Sequence, residues 1–442
     1  MPADIPHVKV TLDNGLDVIV HEDHHCPIVA VNVWYHVGSK NERPGRTGFA
    51  HLFEHLMFEG SAHHDSGYFR PLQEAGGTLN GSTSADRTNY WEVVPRGALE
   101  RALWMESDRM GYLLPALTRE KLDTQRNVVL NERRQSYENR PYGLASMTLA
   151  AAQHPPEHPY HWPVIGWPDD VRSATLDDVR EFFATYYHPA NASLAIAGDV
   201  DADDAVRAAR AHFEEIPAGP APPPVAPPAA GPAPPPGDRP SALRLEDRVE
   251  APRLYLGWVT PRLFGPRDAE LDLAATVLGG GKPSRLYRAL LQDRRLAIDV
   301  SAHQHSAEIA GRFGIVATAA PGRSLGELEA VIGAEVDRLA SDGPTAPELE
   351  RARNLLEADT ARSRQSVGGF GGRSDQLNLY NVYAGTPAYA AADFERYLQA
   401  TPESVAAAVR AELGAESRIA LSVVPHGRGD AALSGSVPAE AC

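Results

Sequence analysis

The sequence predicts an α+β fold of two homologous domains, each an antiparallel sheet with helices packed on one face. The chain has 442 residues, too many for one ordinary hydrophobic core. A proline-rich stretch at 217–240 divides it into halves of similar length, and the order of strand and helix patterns recurs in both halves. We therefore expect an N-terminal domain at 1–216, a linker at 217–240 and a C-terminal domain at 241–442.

The first half begins with a β-hairpin pattern. The alternating VKVTL at 8–12 and LDVIV at 16–20 flank the turn sequence DNG. A third strand is predicted at 28–37, and a helix follows near 48–58.

The second half repeats this order with LRLEDRV from residue 243, RLYLGWV from residue 253 and a helical pattern at 269–278. Both halves also end alike, with a helix and then a strand, at 177–200 and at 402–425. This agreement is what predicts two diverged copies of one unit.

Charge and cysteine content exclude several classes of function. A formal net charge of -16 would repel a phosphate backbone, so nucleic acid is not an expected partner. Cys26 and Cys442 form neither a CxxC pair nor a disulfide framework. We find no apolar run long enough for a membrane span and no leader sequence, so we expect a cytoplasmic chain, or a periplasmic one if a leader was removed.

His51, Glu54 and His55 form an HxxEH motif on the first predicted helix. At 100° per residue these three side chains share one helix face, while Leu52, Phe53 and Met57 point elsewhere. Two imidazoles can bind Zn²⁺, and a carboxylate between them is placed to take a proton from water. The alternative is an amphipathic helix whose histidines are hydrogen-bonded in a polar core.

A catalytic zinc needs a third protein ligand, and Glu132 is a candidate. It lies in the segment 120–138, which has a helical pattern with apolar positions for packing. The alternative is that Glu132 belongs to a solvated helix face, where Arg133 and Arg134 would form surface ion pairs.

The sequence resembles the pitrilysin-type (inverzincin, M16) zinc peptidases, the family that includes insulin-degrading enzyme and mitochondrial processing peptidase. The resemblance is carried by RTGFAHLFEHLMFEGS at 46–61, GGTLNGSTSADRTNYWEVVP at 76–95, QRNVVLNERRQSYENRPYG at 125–143 and GGGKPSRLYRALLQDRRLA at 279–297. It implies one zinc per chain with His51, His55 and Glu132 as ligands. It also implies a peptidase in which Glu54 is the general base that activates the attacking water.

Two further expectations about the site come from the same resemblance. Many members carry a glutamate where this chain has Gln125, so we expect Gln125 to orient a ligand by hydrogen bonding without adding charge. Members bind extended peptides by adding them to a sheet edge, and Asn80, Gly81, Ser82 and Thr83 resemble that strand. The alternative is that Asn80-Gly81 is a turn.

The resemblance also implies a partner chain. Long members join four homologous domains, whereas this chain has two. Many self-sufficient relatives carry an Arg and a Tyr where Gln292 and Ile298 stand here, although Arg294 or Arg295 could substitute for the Arg. We therefore expect a heterodimer with a homologous subunit that supplies Arg and Tyr, and a homodimer is the alternative.

Other interpretations concern the class of protein. The chain could be a catalytically silent scaffold subunit of a larger complex. The loop GGGKPS at 279–284 suggests nucleotide binding only weakly, because it lacks the phosphate-loop spacing. His154, His158 and His161 are interrupted by prolines, which favours a structural loop over a second metal site.

Overall fold

The computed structural model describes residues 4–225 and 241–439. Most of the predicted linker, 226–240, and also Cys442 lie outside the described residues, and residues 217–225 have no regular secondary structure. Within the described residues the strands are β1 Val8–Thr11, β2 Asp17–Glu22, β3 Ile28–Tyr35, β4 Thr78–Thr83, β5 Thr88–Pro95, β6 Ala192–Gly198, β7 Ala242–Asp247, β8 Arg253–Thr260, β9 Ala297–His305, β10 Gly311–Ala319, β11 Ile419–Pro425 and β12 Val437–Pro438.

The helices connect these strands and cover both sheets. They are α1 Phe49–Leu56, α2 Phe69–Glu74, α3 Leu99–Ala116, α4 Arg119–Arg133, α5 Ala145–Gln153, α6 Pro168–Ser173, α7 Leu176–Tyr186, α8 Ala202–Phe213, α9 Asp268–Gly279, α10 Arg285–Tyr287, α11 Leu325–Asp342, α12 Ala346–Ser363, α13 Arg373–Ala384, α14 Ala390–Gln399 and α15 Pro402–Glu412.

Five strands of each sheet have the same order and pairing, which confirms the α+β fold of two homologous copies. The sixth strand differs, because β1 is antiparallel to β2 whereas β12 is parallel to β7. The first has the order β1-β2-β6-β3-β5-β4 and the second β12-β7-β11-β8-β10-β9. In both copies a capped helix precedes the central strand: Thr175 caps α7 before β6, and Thr401 caps α15 before β11. The repeat seen in the sequence is therefore a repeat of structure.

Two details of the predicted sheets are wrong. The sheets are mixed, because β2 pairs with β6 and β7 pairs with β11 in parallel. Helices also cover the second face of each sheet, where Leu377 of α13 packs on Ile19 and Ala195 in one copy. In the other copy Leu149 of α5 packs on Leu421. These strands are apolar on both faces, so a single helical layer would leave apolar surface in water.

The compact units of the fold do not coincide with the two sequence halves. One unit contains the residues up to Asn131, those from Trp162 to the linker, and Ala358–Ala392. The other contains Glu132–His161, the region from the linker to Glu357, and the residues from Asp393 onwards. Each unit thus includes a segment of the other half, and the domain boundaries at 216 and 241 stay a prediction.

None of the described residues belongs to a helix that is both long enough and apolar enough to cross a membrane.

A buried carboxyl group links the stability of the second unit to pH. Tyr397 Oη of α14 donates a hydrogen bond to Asp272 Oδ2 of α9 at 2.8 Å, and Arg396 donates to Asp268 at 3.0 Å. Burial, together with the negative charge of Asp268, raises the pKa of Asp272 to about 7. The folded protein therefore keeps a proton on Asp272 that the unfolded chain loses near pH 4.

We expect Asp272→Asn to stabilise the protein at pH 8 but not at pH 4. The folded pKa is raised, so the contribution of the protonated carboxyl is complete below the unfolded pKa and is lost as pH rises towards 7. The neutral amide avoids this loss, and the gain at pH 8 should be about 1 to 3 kcal/mol. Urea denaturation at both pH values measures it, with exposed Asp337→Asn as the control. Equal urea midpoints for Asp272→Asn and the parent at pH 8 would contradict the expectation.

Candidate metal centre

The start of helix α1 is held in place by a buried carboxylate. Gly48, which precedes the helix, has φ +85°, and a Cβ there would lie 2.8 Å from the carbonyl oxygen of Ile165, so only glycine fits. Gly48 has no side chain to cap the helix. Instead, the backbone N–H groups of Gly48 and Ala50 donate to the two carboxyl oxygens of Glu42, each at 2.8 Å. This fixes the position from which the HxxEH motif starts.

Helix α1 buries one side and presents its polar residues on the other. Phe53 is fully buried, and its ring stacks on Tyr187 with centroids 4.9 Å apart. His51, Glu54 and His55 are only half-buried. The two imidazole rings meet edge to face with centroids 4.8 Å apart. The predicted common face of the three side chains is therefore present in the fold.

Glu132 lies close to the two histidines. The ligand atoms of His51, His55 and Glu132 all lie within 4.8 Å of one another. Among residues 4–225 and 241–439, one group of three or more His, Cys, Asp or Glu side chains has a spacing that could hold a metal ion, and it is this group. Glu132 stands in the last turn of α4, a continuous helix from Arg119 to Arg133.

The donor set fits a catalytic zinc ion. Two imidazole nitrogens and one carboxylate oxygen are a ligand combination that catalytic zinc uses, and three protein ligands leave a position for water or substrate. All three residues are half-buried, and their role as metal ligands stays a prediction.

The end of helix α4 is fixed directly after Glu132. A π-helical turn, Arg134–Glu138, follows the helix, a feature often found at functional sites. Arg133 is only 2% exposed, and its Nε donates to Glu138 Oε1 at 3.0 Å, while its Nη1 lies 3.8 Å from Met147 Sδ. A solvated helix face with a surface Arg133 is therefore wrong, because this guanidinium is an internal anchor.

Gln125 contacts the segment that follows α1. It lies two turns before Glu132 on α4, is buried, and donates from Nε2 to Glu59 Oε1 at 2.6 Å. Glu59 comes four residues after His55, so this bond links the helix of the third ligand to the chain leaving the HxxEH helix. The role of Gln125 in orienting a metal ligand stays a prediction.

The residues Asn80 to Thr83 lie in strand β4, at the edge of the first sheet. Asn80 pairs with Trp91 and Thr83 with Thr88 of β5, so the interpretation of Asn80-Gly81 as a turn is wrong. Thr83 Oγ1 donates to Glu54 Oε2 at 2.7 Å. The contact joins two segments that are 29 residues apart, and the sequence carried no signal for it.

Two tyrosines near Glu54 stay neutral. Burial raises the pKa of the Tyr90 phenol well above its usual range, and the negative charge of Glu54 adds to the rise. Burial likewise raises the pKa of Tyr187, again with a contribution from Glu54. Both phenols therefore keep their protons across the neutral pH range.

The unit that contains α1 also has a buried ionic cluster, which no sequence motif indicated. The Arg109 guanidinium pairs with Glu106 through two hydrogen bonds and lies 3.9 Å from the ring centroid of Tyr68 and 4.1 Å from that of Tyr90. Burial, and then the neighbouring Glu106, raise the pKa of Glu92 well above its usual range. A neutral Glu92 adds no unpaired buried charge beside the Arg109–Glu106 pair.

Two other sequence candidates lie outside the metal-binding group of the described residues. His154 and His158 stack at 4.1 Å between ring centroids, and neither belongs to the metal-binding group among the described residues. The loop at 279–284 leads into α10, which a π-helical turn at Arg288–Asp293 continues without a break. The loop lacks the GxxxxGK(S/T) spacing of a phosphate loop, so nucleotide binding remains the weaker interpretation.

Comparisons with known proteins agree along most of the chain. The family model "Insulinase (Peptidase family M16)" matches residues 17–155, and "Peptidase M16 inactive domain" matches residues 173–356. The zinc protease PqqE of Helicobacter pylori is 30% identical over 384 residues, covering 85% of this chain and 83% of that protein.

Solved structures show the same fold. The crystal structure of a protease from Helicobacter pylori has a TM-score of 0.83 at 26% identity and covers 96% of this chain and 100% of that one. The periplasmic protease PqqL of Escherichia coli has a TM-score of 0.75 at 19% identity, and the match covers 98% of this chain but 49% of that one. Together with the sequence relatives, these matches show that the chain belongs to the peptidase M16 family.

Proposed function

We propose that this chain is a zinc-dependent metallopeptidase that hydrolyses peptides. The observation that carries the proposal is the convergence of His51, His55 and Glu132 beside Glu54, with their ligand atoms within 4.8 Å of one another. A scaffold has no physical need for three ligands and a base in this arrangement. The relatives named zinc proteases support the same function.

His51, His55 and Glu132 would hold the metal, and Glu54 would move protons. Zinc bound there would polarise the scissile carbonyl and would make a water molecule acidic enough to act as the nucleophile. The Glu54 carboxylate accepts the proton of the attacking water and then returns it to the leaving amine. Thr83 holds one oxygen of that carboxylate through its 2.7 Å hydrogen bond.

Strand β4 would bind the substrate. As an edge strand it presents backbone N–H and C=O groups that can pair with an extended peptide. The segment Asn80 to Thr83 ends at the residue that contacts Glu54, so a paired peptide would pass beside the base. Main-chain pairing tolerates varied side chains, which suits substrates of mixed sequence.

We also propose a partner. The structure of PqqL is about twice as long as this chain, which supports two such units working together. Gln292 lies in a π-helical turn, and Ile298 is 57% exposed on β9. Neither side chain has a guanidinium or a phenol group. A homologous subunit would supply those two groups, and a second copy of this chain is the alternative.

The first test measures the metal. We expect about one zinc per chain in the parent, and almost none in His51→Ala, His55→Ala or Glu132→Ala, because two remaining ligands bind zinc weakly. Metal analysis of the purified, dialysed proteins gives the ratio, with exposed His426→Ala as the matched control that retains zinc. Stoichiometric zinc in folded His55→Ala would contradict the assignment.

The second test separates metal binding from chemistry. Glu54→Gln should keep zinc and fold but lose turnover by about 10²- to 10⁴-fold, because an amide cannot accept the proton. Cleavage of a quenched fluorescent peptide measures turnover, and Glu120→Gln, an exposed position on α4, is the control. Parent-level turnover in Glu54→Gln would show that Glu54 is not the base. A zinc-loaded parent without turnover, both alone and with the homologous subunit, would favour the silent scaffold.

The third test concerns the partner. The isolated zinc-loaded chain should cleave peptides slowly, and adding the homologous subunit should raise turnover by about tenfold or more, since a positioned donor to the reacting carbonyl is worth that much. Sedimentation of the mixture reports whether a heterodimer forms. Full activity of the isolated chain, unchanged by the candidate subunit, would overturn the heterodimer, and sedimentation as a dimer by itself would favour the homodimer.

A further inference from the structure

Thr83 is the last residue of edge strand β4, and its side chain and backbone serve different purposes. Its hydroxyl donates to Glu54 Oε2 at 2.7 Å. The backbone belongs to the open edge of the sheet, because β4 ends the strand order. One residue therefore touches the general base and also faces the position of an added strand.

The ladder between β4 and β5 decides which backbone groups face the open edge. Ser84 N–H donates to the Arg87 carbonyl at 2.8 Å, and Thr83 lies opposite Thr88. Bonded and non-bonded pairs alternate in an antiparallel ladder, so Thr83 and Thr88 form a non-bonded pair. The N–H and C=O of Thr83 thus point away from β5, as do those of Gly81 two residues earlier.

Hydrogen bonds on the opposite face of β4 anchor this end of the strand. Ser82 Oγ donates to Asn89 Oδ1 at 2.7 Å, and Arg87 Nη1 donates to the Ser82 carbonyl oxygen at 2.8 Å. Asn89 in turn donates from Nδ2 to Asp375 of α13 at 3.2 Å. The backbone of Thr83 is therefore anchored through its neighbour while its hydroxyl is committed to Glu54.

We propose that Thr83 is a positioning residue that couples pairing of the substrate backbone to the orientation of Glu54. A peptide hydrogen-bonded to the Thr83 backbone is placed at a fixed distance from the carboxylate that the Thr83 hydroxyl holds. The same residue thus sets both the register of the peptide and the direction of the base. This inference rests on the proposed peptidase function and adds to it the device that aligns substrate and base.

The test compares Thr83→Val, which keeps the shape but loses the hydroxyl, with Thr83→Ser, which keeps the hydroxyl. We expect Thr83→Val to lower kcat by about 10- to 100-fold with little change in KM, and Thr83→Ser to retain most of kcat. Zinc content should stay at the parent value in both. The matched control is Thr11→Val on β1, the opposite edge of the same sheet, where Thr11 donates to the Asp17 carboxylate at 2.7 Å.

A binding measurement separates this role from a structural one. Affinity for an uncleaved fluorescent peptide, measured by anisotropy, should be equal in Glu54→Gln and in Glu54→Gln with Thr83→Val, because the strand backbone is unchanged. The double variant should also be no slower than Glu54→Gln alone, since Thr83 acts through Glu54.

Three results would overturn the inference while leaving the peptidase function intact. They are parent kcat in Thr83→Val, an equal loss of kcat in Thr83→Ser and Thr83→Val, and loss of zinc in Thr83→Val. A zinc-loaded parent chain that has no turnover, alone or with its partner, would instead overturn the proposed function and this inference with it.

Discussion

The candidate site depends on the packing of one short helix. Helix α1 has eight residues, and Leu52, Phe53 and Leu56 are buried, so its rotation about its own axis is fixed by the apolar side. Its polar side must then carry His51, Glu54 and His55 together. Glu42 holds the N-terminus, where a helix otherwise leaves unpaired N–H groups. Small movements of this helix would therefore change the distances of these three side chains from Glu132 and Thr83 at once.

The sheet beside this helix is built to keep an exposed edge rigid. Exposed edge strands are open to unwanted pairing, and proteins usually protect them. Here the end of β4 is fixed on one face by Thr83 and on the other by Ser82 and Arg87. Both faces of the sheet are covered, and Arg109 with Glu106 forms a fully buried ion pair within the same unit. A rigid edge can offer its backbone groups to a peptide with little ordering cost.

Each compact unit includes a segment from the other half of the sequence because that segment covers the second face of its sheet. Ile19 and Ala195 point away from the face that holds α1, and Leu377, from late in the chain, packs against them. The internal repeat predicted two similar copies, and the sheet topologies confirm this. The repeat did not indicate which helix packs on the second face of each sheet. The apolar alternation of a strand is the same whether that helix is near to it or far from it in the sequence.

The sequence by itself determined the local elements and the candidate residues for metal binding. The DNG turn with its flanking alternation predicted the β1 and β2 hairpin, and the spacing of His51, Glu54 and His55 predicted their common face, because both patterns act within one turn or one helix. Only the tertiary structure decided the parallel pairing of β2 with β6, the burial of Arg133 and the bond from Thr83 to Glu54. Those contacts join residues far apart in the chain or depend on what packs against them. They form only when the whole unit folds, and no short pattern in the sequence predicts them.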